Sequence, residues 1–338
     1  PAGEARMKAA IYAGKGGAIT IEDIADPAPG AGEVVIRVHR CGLCGTDLSM
    51  TKGEMFDFSP GQFGHEYAGE VVALGKGVEG LRIGQKLAVN PSGACGHCFG
   101  CAGHNHVMCR EAPSAALGFA EYARFAANLA VPLPDVLSMA DGALIEPLAV
   151  SLYGVRKSPM KPGDRVVVLG GGTVALYAIY WARRMGASRI VALSRSERRR
   201  DLCLAMGADA FVPFGASEVA ETVEALGGPA DVVFEAVGAE GMLMKAIQHA
   251  RTYGHVTSLG FCTKPDPFIP ALAAYKCATI QFLVGYGMDE FLHIARDMDK
   301  GHIDPKTIIT SEVPLSALPA TMDLLRGANS ETKVHVLC

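Results

Sequence analysis

The chain has 338 residues, 49 % of them hydrophobic, and a formal net charge of −4. That length gives room for two domains, each burying its own core. No apolar run is long enough to cross a bilayer, and a mildly acidic chain without a broad basic stripe argues against a nucleic-acid partner.

Pro1 to Arg6 reads as a processed start or cloning remnant and is assigned no role. Short strand-like runs follow at 8–12, 19–24, 33–40, 66–74 and 85–89. Glycine and proline turns separate them, among them Asp26-Pro27-Ala28-Pro29-Gly30, whose prolines cannot donate to a sheet ladder. A β-rich domain with bends rather than long helices is expected. From Ser138 the texture changes. Ser138 with Asp141 reads as a helix start, Glu146-Pro147 as an interruption, and 148–157 as a new helix. Strands at 165–169, 189–193, 209–212, 231–236, 255–259 and 279–284 then alternate with helical stretches at 174–185, 197–206, 217–226 and 241–251. Apolar strands alternating with helices indicate a parallel sheet covered on both faces. The tail carries a helix over 289–300, a turn at Asp304-Pro305 and a helix near 315–325, and most simply returns to the first domain. The fold class is therefore α/β, with a β-rich domain over 1–147 and 287–338 and a doubly wound parallel-sheet domain over 148–286.

Inside the first domain stands Cys95-Gly-His-Cys98-Phe-Gly-Cys101, with Cys109 beyond it. A C-x2-C-x2-C-x7-C spacing lets one lobe wrap four thiolates around a zinc ion with no position left open. Disulfides are a rival reading, but the chain is neither small nor cysteine-dense. An iron–sulfur cluster is a second rival. A closed four-thiolate site stabilises structure, so the chemistry lies elsewhere. The scattered Cys41, Cys203, Cys262, Cys277 and Cys338 fit a reducing cytoplasm.

The second domain opens on Arg165-Val-Val-Val-Leu-Gly170-Gly171-Gly172-Thr173-Val174-Ala175, a strand, a glycine turn and a helix start. This is the dinucleotide fingerprint: Gly170 permits the turn, Gly172 lets backbone approach a pyrophosphate, and the helix opened by Thr173 and Val174 points its N-terminus at the phosphates. A bare glycine turn is the bland alternative. The next strand ends in Ser194, followed by Arg195, with Arg198 and Arg199 close behind. An acid there would bind the ribose 2′-hydroxyl, whereas serine and arginine suit a 2′-phosphate. NADP is favoured over NAD, a solvated basic helix start being the alternative.

A second metal set completes the pattern. Cys41-Gly-Leu-Cys44-Gly-Thr46-Asp47 follows a strand and Phe63-Gly-His65-Glu66 follows a loop. A catalytic zinc takes about three protein ligands and keeps one open position. Cys44 and His65 are the candidates, with Glu66 or Glu146 as the third ligand or its exchanger. Asp47 could hold the imidazole by its other nitrogen, and Thr46 could pass on a proton.

Together these motifs resemble, in order and over the chain from Met7 onward, the zinc-dependent medium-chain dehydrogenase/reductase family of alcohol, sorbitol, threonine and butanediol dehydrogenases. The resemblance implies a GroES-like catalytic domain beside a Rossmann domain. It also implies two zinc ions per chain: a catalytic one at Cys44, His65 and Glu66 or Glu146, and a structural one at Cys95, Cys98, Cys101 and Cys109. A homodimer or homotetramer joined through the nucleotide domains is implied as well. Glu146 in Glu146-Pro147 looks like the polyol-dehydrogenase branch, while Ser194 departs from the aspartate of NAD-dependent members. The loop over 48–58 and Phe119 are expected to border the zinc and suit a substrate with an apolar body. The expected reaction is reversible oxidation of a secondary alcohol or polyol, with zinc polarising its oxygen, Thr46 relaying the proton and NADP taking the hydride. The alternatives are a zinc-independent enone or quinone reductase of the same superfamily and a non-catalytic NADP-binding redox sensor.

Overall fold

A computed structural model describes residues 6–55, 59–111 and 117–338. In chain order the first elements are β1 (Arg6–Tyr12), β2 (Ile19–Ala25), β3 (Glu33–Gly42), α1 (Gly45–Lys52), β4 (Gly61–Gln62), β5 (Glu66–Leu74), β6 (Lys86–Val89), α2 (Phe99–Ala102), β7 (Tyr122–Ala126), β8 (Ala130–Pro132), α3 (Met139–Ala143) and α4 (Ile145–Lys157). The alternating segment follows as β9 (Arg165–Leu169), α5 (Thr173–Arg184), β10 (Arg189–Ser194), α6 (Arg200–Ala205), β11 (Ala210–Pro213), α7 (Glu218–Leu226), β12 (Ala230–Glu235), α8 (Met242–His249), β13 (Ala250–Ser258), α9 (Pro270–Tyr275) and β14 (Thr279–Phe282). The tail adds α10 (Met288–Asp297), β15 (Ile309–Pro314), α11 (Leu318–Leu325) and β16 (Lys333–Leu337).

These elements form two compact units, Pro1–Glu146 with Tyr286–Lys300 and Ile309–Cys338, and Pro147–Gly285 with Gly301–Ile308. The sequence reading assigns Gly301–Ile308 to the first domain; it packs instead in the second. The Tyr177 hydroxyl of α5 donates to the Pro305 carbonyl at 3.2 Å, and Ile308 is fully buried.

Among the described residues the first unit holds a small antiparallel sheet ordered β2-β1-β4 and a larger one ordered β15-β16-β3-β5-β6-β8, with β7 also pairing β3. Val34, Ile36 and Val38 of β3, Val71 of β5 and Leu87 of β6 make its core with Phe63, Phe119 and Phe125. Phe119 is therefore packing rather than a wall of the metal pocket: it is wholly buried, edge-on to Phe63 at 5.0 Å. Phe56 and Phe58 lie outside the described residues.

The second unit carries the sheet β11-β10-β9-β12-β13-β14. Its strand pairs are parallel, and Val166, Val167, Val168 and Leu169 of β9 are all fully buried, as a strand covered on both faces requires.

The helix break falls at Leu144, not at Glu146-Pro147. Ser138 caps α3, accepting from the Asp141 N–H at 3.3 Å, and α4 then starts at Ile145 with Pro147 in its first turn. Proline there removes an N–H that has no helical partner anyway.

β16 has β15 on one side and β3 on the other, so its polar positions are as buried as its valines. Neither ring nitrogen of His335 finds a hydrogen-bond partner among the described residues. Burial pushes the imidazole down to about 3, and the cationic Lys333 and Arg40 push the same way. The folded state therefore keeps the ring neutral while the unfolded chain protonates it near pH 6.5, so stability is lost as pH falls from there towards 3. Between roughly pH 6.5 and pH 5 the loss should be about 2 kcal/mol. His335→Leu should remove that increment, read as the difference in urea-unfolding stability between acidic and neutral buffer. An unchanged pH slope would mean that the folded ring can take up its proton after all, against a hydrogen-bond acceptor or water.

Candidate active site

The register of β3 against β5 assembles the first cluster. Gly42 pairs with Glu66, so Cys44, two residues past β3, stands beside His65, one residue before β5. Only glycine fits at 42: a Cβ there would meet a Glu66 carboxylate oxygen at 2.1 Å. Donor atoms of Cys44, His65 and Glu66 all lie within 4.8 Å of one another. A tetrahedral zinc with bonds of about 2.0–2.3 Å draws its ligands to roughly 3.5 Å apart, so thiolate, imidazole and carboxylate fit that ion after small rotations.

Asp47, buried in the first turn of α1, makes two contacts. Its Oδ2 accepts the Cys44 N–H at 3.0 Å, and its Oδ1 stands 3.4 Å from His65 Nδ1. Burial works against a charged His65 ring, but the Asp47 carboxylate and Cys44 outweigh it and raise the pKa well above the usual range. Thr46 is half-buried in the same turn.

Glu66 and Glu146 are both buried. Glu66 is held by Lys333, whose Nζ donates to its two oxygens at 2.8 and 2.5 Å and to the Leu43 carbonyl at 3.0 Å. Glu146 lies in the first turn of α4. Burial pushes its carboxyl up to about 7; His65 opposes, Glu66 adds, and a hydrogen bond from the buried Tyr286 hydroxyl opposes again. A thiol and three carboxyls thus crowd a pocket whose buried permanent cation is Lys333, and a divalent ion would balance that charge.

In the lobe, Cys95, Cys98, Cys101 and Cys109 bring their sulfurs within 4.8 Å of one another. Cys95 and Cys101 are 3.9 Å apart, far beyond a disulfide of about 2.05 Å, and the Cys98 N–H donates to the Cys95 sulfur at 3.3 Å. None of the four is in a disulfide, so each can lose its proton and bind a metal as thiolate.

In the second unit Gly170 takes φ +123°, and a Cβ on it would press on Ala175 and the Ala236 carbonyl at 3.1 Å. A Cβ on Gly172, the N-cap of α5, would enter open space: a cradle for a phosphate against the N–H groups of Thr173 and Val174. Arg199 leans on this loop, its Nη1 donating to the Gly171 carbonyl at 3.2 Å, and Ser194 is its neighbour there. Arg195 is exposed.

Sequence reasoning missed Lys333, Tyr286 and its partner Ser92. The sequence alone assigns Lys333-Val-His335-Val no element, and only pairing of β16 on both sides turns its polar positions inward.

Residues 30–135 match the family model of the alcohol dehydrogenase GroES-like domain, and 173–299 that of the zinc-binding dehydrogenase. The chain is 32 % identical to the (R,R)-butanediol dehydrogenase of Bacillus subtilis (strain 168), over 89 % of this chain and 90 % of that one. To the sorbitol dehydrogenase of the same organism it is 29 % identical, over 94 % of each. Among solved structures, a zinc-binding dehydrogenase of Sinorhizobium meliloti 1021 bound to NADP superposes with a TM-score of 0.91 at 28 % identity, covering 99 % of this chain and 100 % of that one. A GroES-like domain with a doubly wound parallel sheet is the architecture of a zinc-binding dehydrogenase. The chain belongs to the zinc-dependent medium-chain dehydrogenase/reductase family. No described helix is long and apolar enough to cross a membrane.

Proposed function

We propose that the protein is a zinc-dependent dehydrogenase of a secondary alcohol or polyol that transfers hydride between the carbinol carbon and NADP. The observation that carries this reading is the convergence of Cys44, His65 and Glu66 beside buried Glu146 in a chain of this family. Zinc held there supplies Lewis acidity at the substrate oxygen, and the nicotinamide accepts the hydride. Cys44 and His65 hold the metal, with Glu66 or Glu146 as the third donor. Asp47 fixes His65 through Nδ1 and leaves Nε2 for the ion. Thr46 takes the alcohol proton outward. Cys95, Cys98, Cys101 and Cys109 hold a second, structural zinc, which needs reduced thiols and hence suits a cytoplasmic enzyme. The decisive experiment is a screen of alcohols and polyols for NADPH production. Turnover of an enone without metal would favour a zinc-independent reductase, and cofactor binding without any turnover a redox sensor.

Gly170 to Val174 take the pyrophosphate, and Ser194, Arg195 and Arg199 the adenosine 2′-phosphate. A charge-assisted hydrogen bond is worth roughly 1.5–3 kcal/mol, which is on the order of ten- to a hundredfold in kcat/KM for NADP over NAD. Arg195→Ala should erase most of that preference and leave NAD turnover intact. Arg199→Ala should impair both cofactors, because Arg199 also braces the Gly171 carbonyl. Ser194→Asp should reverse the preference. Equal use of NAD by the wild type would overturn the choice of cofactor.

A homodimer, or a tetramer built from it, is supported by the sheet edge at β14, where Phe282 and the nearby Tyr275 and Ile269 are exposed. An unpaired apolar edge is a template for pairing with a second copy. Phe282→Lys should then yield monomers in sedimentation, and unchanged mass would place the interface elsewhere.

A further inference from the structure

The sheet of the second unit, ordered β11-β10-β9-β12-β13-β14, reverses its winding between β9 and β12. In open α/β sheets a dinucleotide lies outside the carboxyl ends of the strands at such a reversal, one mononucleotide to each half. The glycine turn at 170–172 stands on one side of that point, after β9. On the other side, level with Leu169, β12 ends in Glu235, a buried residue to which the reading above gives no role. Its Oε1 accepts the N–H groups of Val237 at 2.7 Å and Gly238 at 2.8 Å, and its Oε2 accepts the Ser258 hydroxyl at 3.1 Å. Its backbone carbonyl accepts the Leu259 and Gly260 N–H groups at 2.7 and 3.0 Å. One residue thus holds both the loop that leaves β12 and the loop that leaves β13. The two run so close that a Cβ on Gly260 would meet the Gly238 nitrogen at 2.2 Å and Glu235 Oε2 at 2.6 Å. A second carboxylate ties the same loops from the opposite direction. Asp266, beyond β13, accepts the Gly241 and Leu243 N–H groups at 2.6 and 3.0 Å at the start of α8.

We propose that Glu235 is a positioning residue that clasps these two loops into one wall of the dinucleotide crevice, on the nicotinamide side of the sheet reversal. The proposal rests on the reading of the second unit as a cofactor site. In that reading Ser194, at the end of β10, serves the adenosine, so the half built on β12, β13 and β14 is left for the nicotinamide mononucleotide. The physical ground is preorganisation. Loops already ordered when the ligand arrives lose little freedom on binding, a cost otherwise subtracted from affinity. The clasp also has a direction. By taking the Val237 and Gly238 N–H groups, Glu235 withdraws them from any anion and leaves the pyrophosphate to the turn at 170–172.

The test measures binding to the full-length protein of NADPH and of 2′,5′-ADP, which carries only the adenosine half. If the wild type prefers NAD, NADH and AMP replace them. Glu235→Ala should weaken NADPH by about tenfold or more and leave 2′,5′-ADP within about twofold. Glu235→Gln should restore NADPH binding, because its amide oxygen can accept both N–H groups while its NH2 donates to Ser258 Oγ. Ser258→Ala keeps the Oε1 bonds and should weaken NADPH by a smaller factor. It carries the same two-probe comparison should Glu235→Ala fail to fold. Unchanged NADPH affinity in the folded alanine variant would overturn the clasp, and so would a glutamine variant no better than alanine. An equal loss of 2′,5′-ADP would overturn it too, making Glu235 a support of the fold alone. The wild type tests the underlying reading. If it binds neither NADPH nor NADH, the cofactor reading falls and this proposal with it. If it binds one of them and the variants bind it equally well, only the clasp falls.

Discussion

Replacing Cys44 by serine will give a folded protein that holds one zinc fewer and oxidises no alcohol. Cys44 is half-buried at the start of α1, and the exchange of sulfur for oxygen barely changes volume, so packing survives. What is lost is the thiolate. Replacing Cys95 has the opposite profile. Structural zinc sites contribute folding free energy outright, and three remaining thiols cannot close the shell. Cys95→Ser should therefore lower the Tm before it touches chemistry. Elemental analysis should read close to two zinc ions in the wild type and close to one in Cys44→Ser. A single zinc that persists in Cys44→Ser and disappears in Cys95→Ser would remove the catalytic ion from the account.

The second large effect is expected at Lys333. Its ammonium and the Glu66 carboxylate are each about 1 % exposed and meet at 2.5 Å. Burial works to lower the lysine pKa, but the Glu66 charge, helped by Cys44, prevails and raises it above the usual range. Lys333→Met strands a buried carboxylate, which costs about 3–5 kcal/mol where one partner of such a pair is removed. Lys333→Met with Glu66→Met should recover most of that loss, because the pair as a whole contributes little against apolar side chains of similar size. Urea unfolding of the single and double variants decides it. A single variant within about 1 kcal/mol of wild type would mean that water reaches Glu66 and screens it.

Much of the second unit could be read from its period. Runs such as Arg165-Val-Val-Val-Leu, bounded by glycine, identify buried parallel strands because burial on both faces leaves no polar phase to confuse them. The first unit was less legible. β7, β8, β15 and β16 are short, and their pairing partners lie far away in the chain, so propensity carries little information about them. Lys333 shows why. Its burial follows from the neighbours of β16, not from anything local to it. The Glu146-Pro147 break misled for a different reason: proline is a breaker inside a helix but a natural first-turn residue, and the choice depends on where the helix begins. Ligand-type residues such as Cys44 and His65 stood out because few other roles explain them in such company. Tyr286 and Ser92, being ordinary residues outside any named element, did not.

The place of β16 in the large sheet has a consequence for how the protein is made. Its pairing with β3 joins Arg40, Cys41 and Gly42 to Leu337, Val336 and His335, on the far side of the second unit in the chain. A ribosome therefore delivers the floor under Glu66 only after the whole second unit has emerged. Until then the thiols of Cys44 and the lobe stand beside an unfinished sheet, open to oxidation and to adventitious metals. Nascent chains fold in the order in which they appear, so the last strand gates the maturation of the first pocket. Any metal ion that met Cys44 and His65 before β16 arrived would meet them without Lys333, the cation that fixes Glu66 in the finished fold.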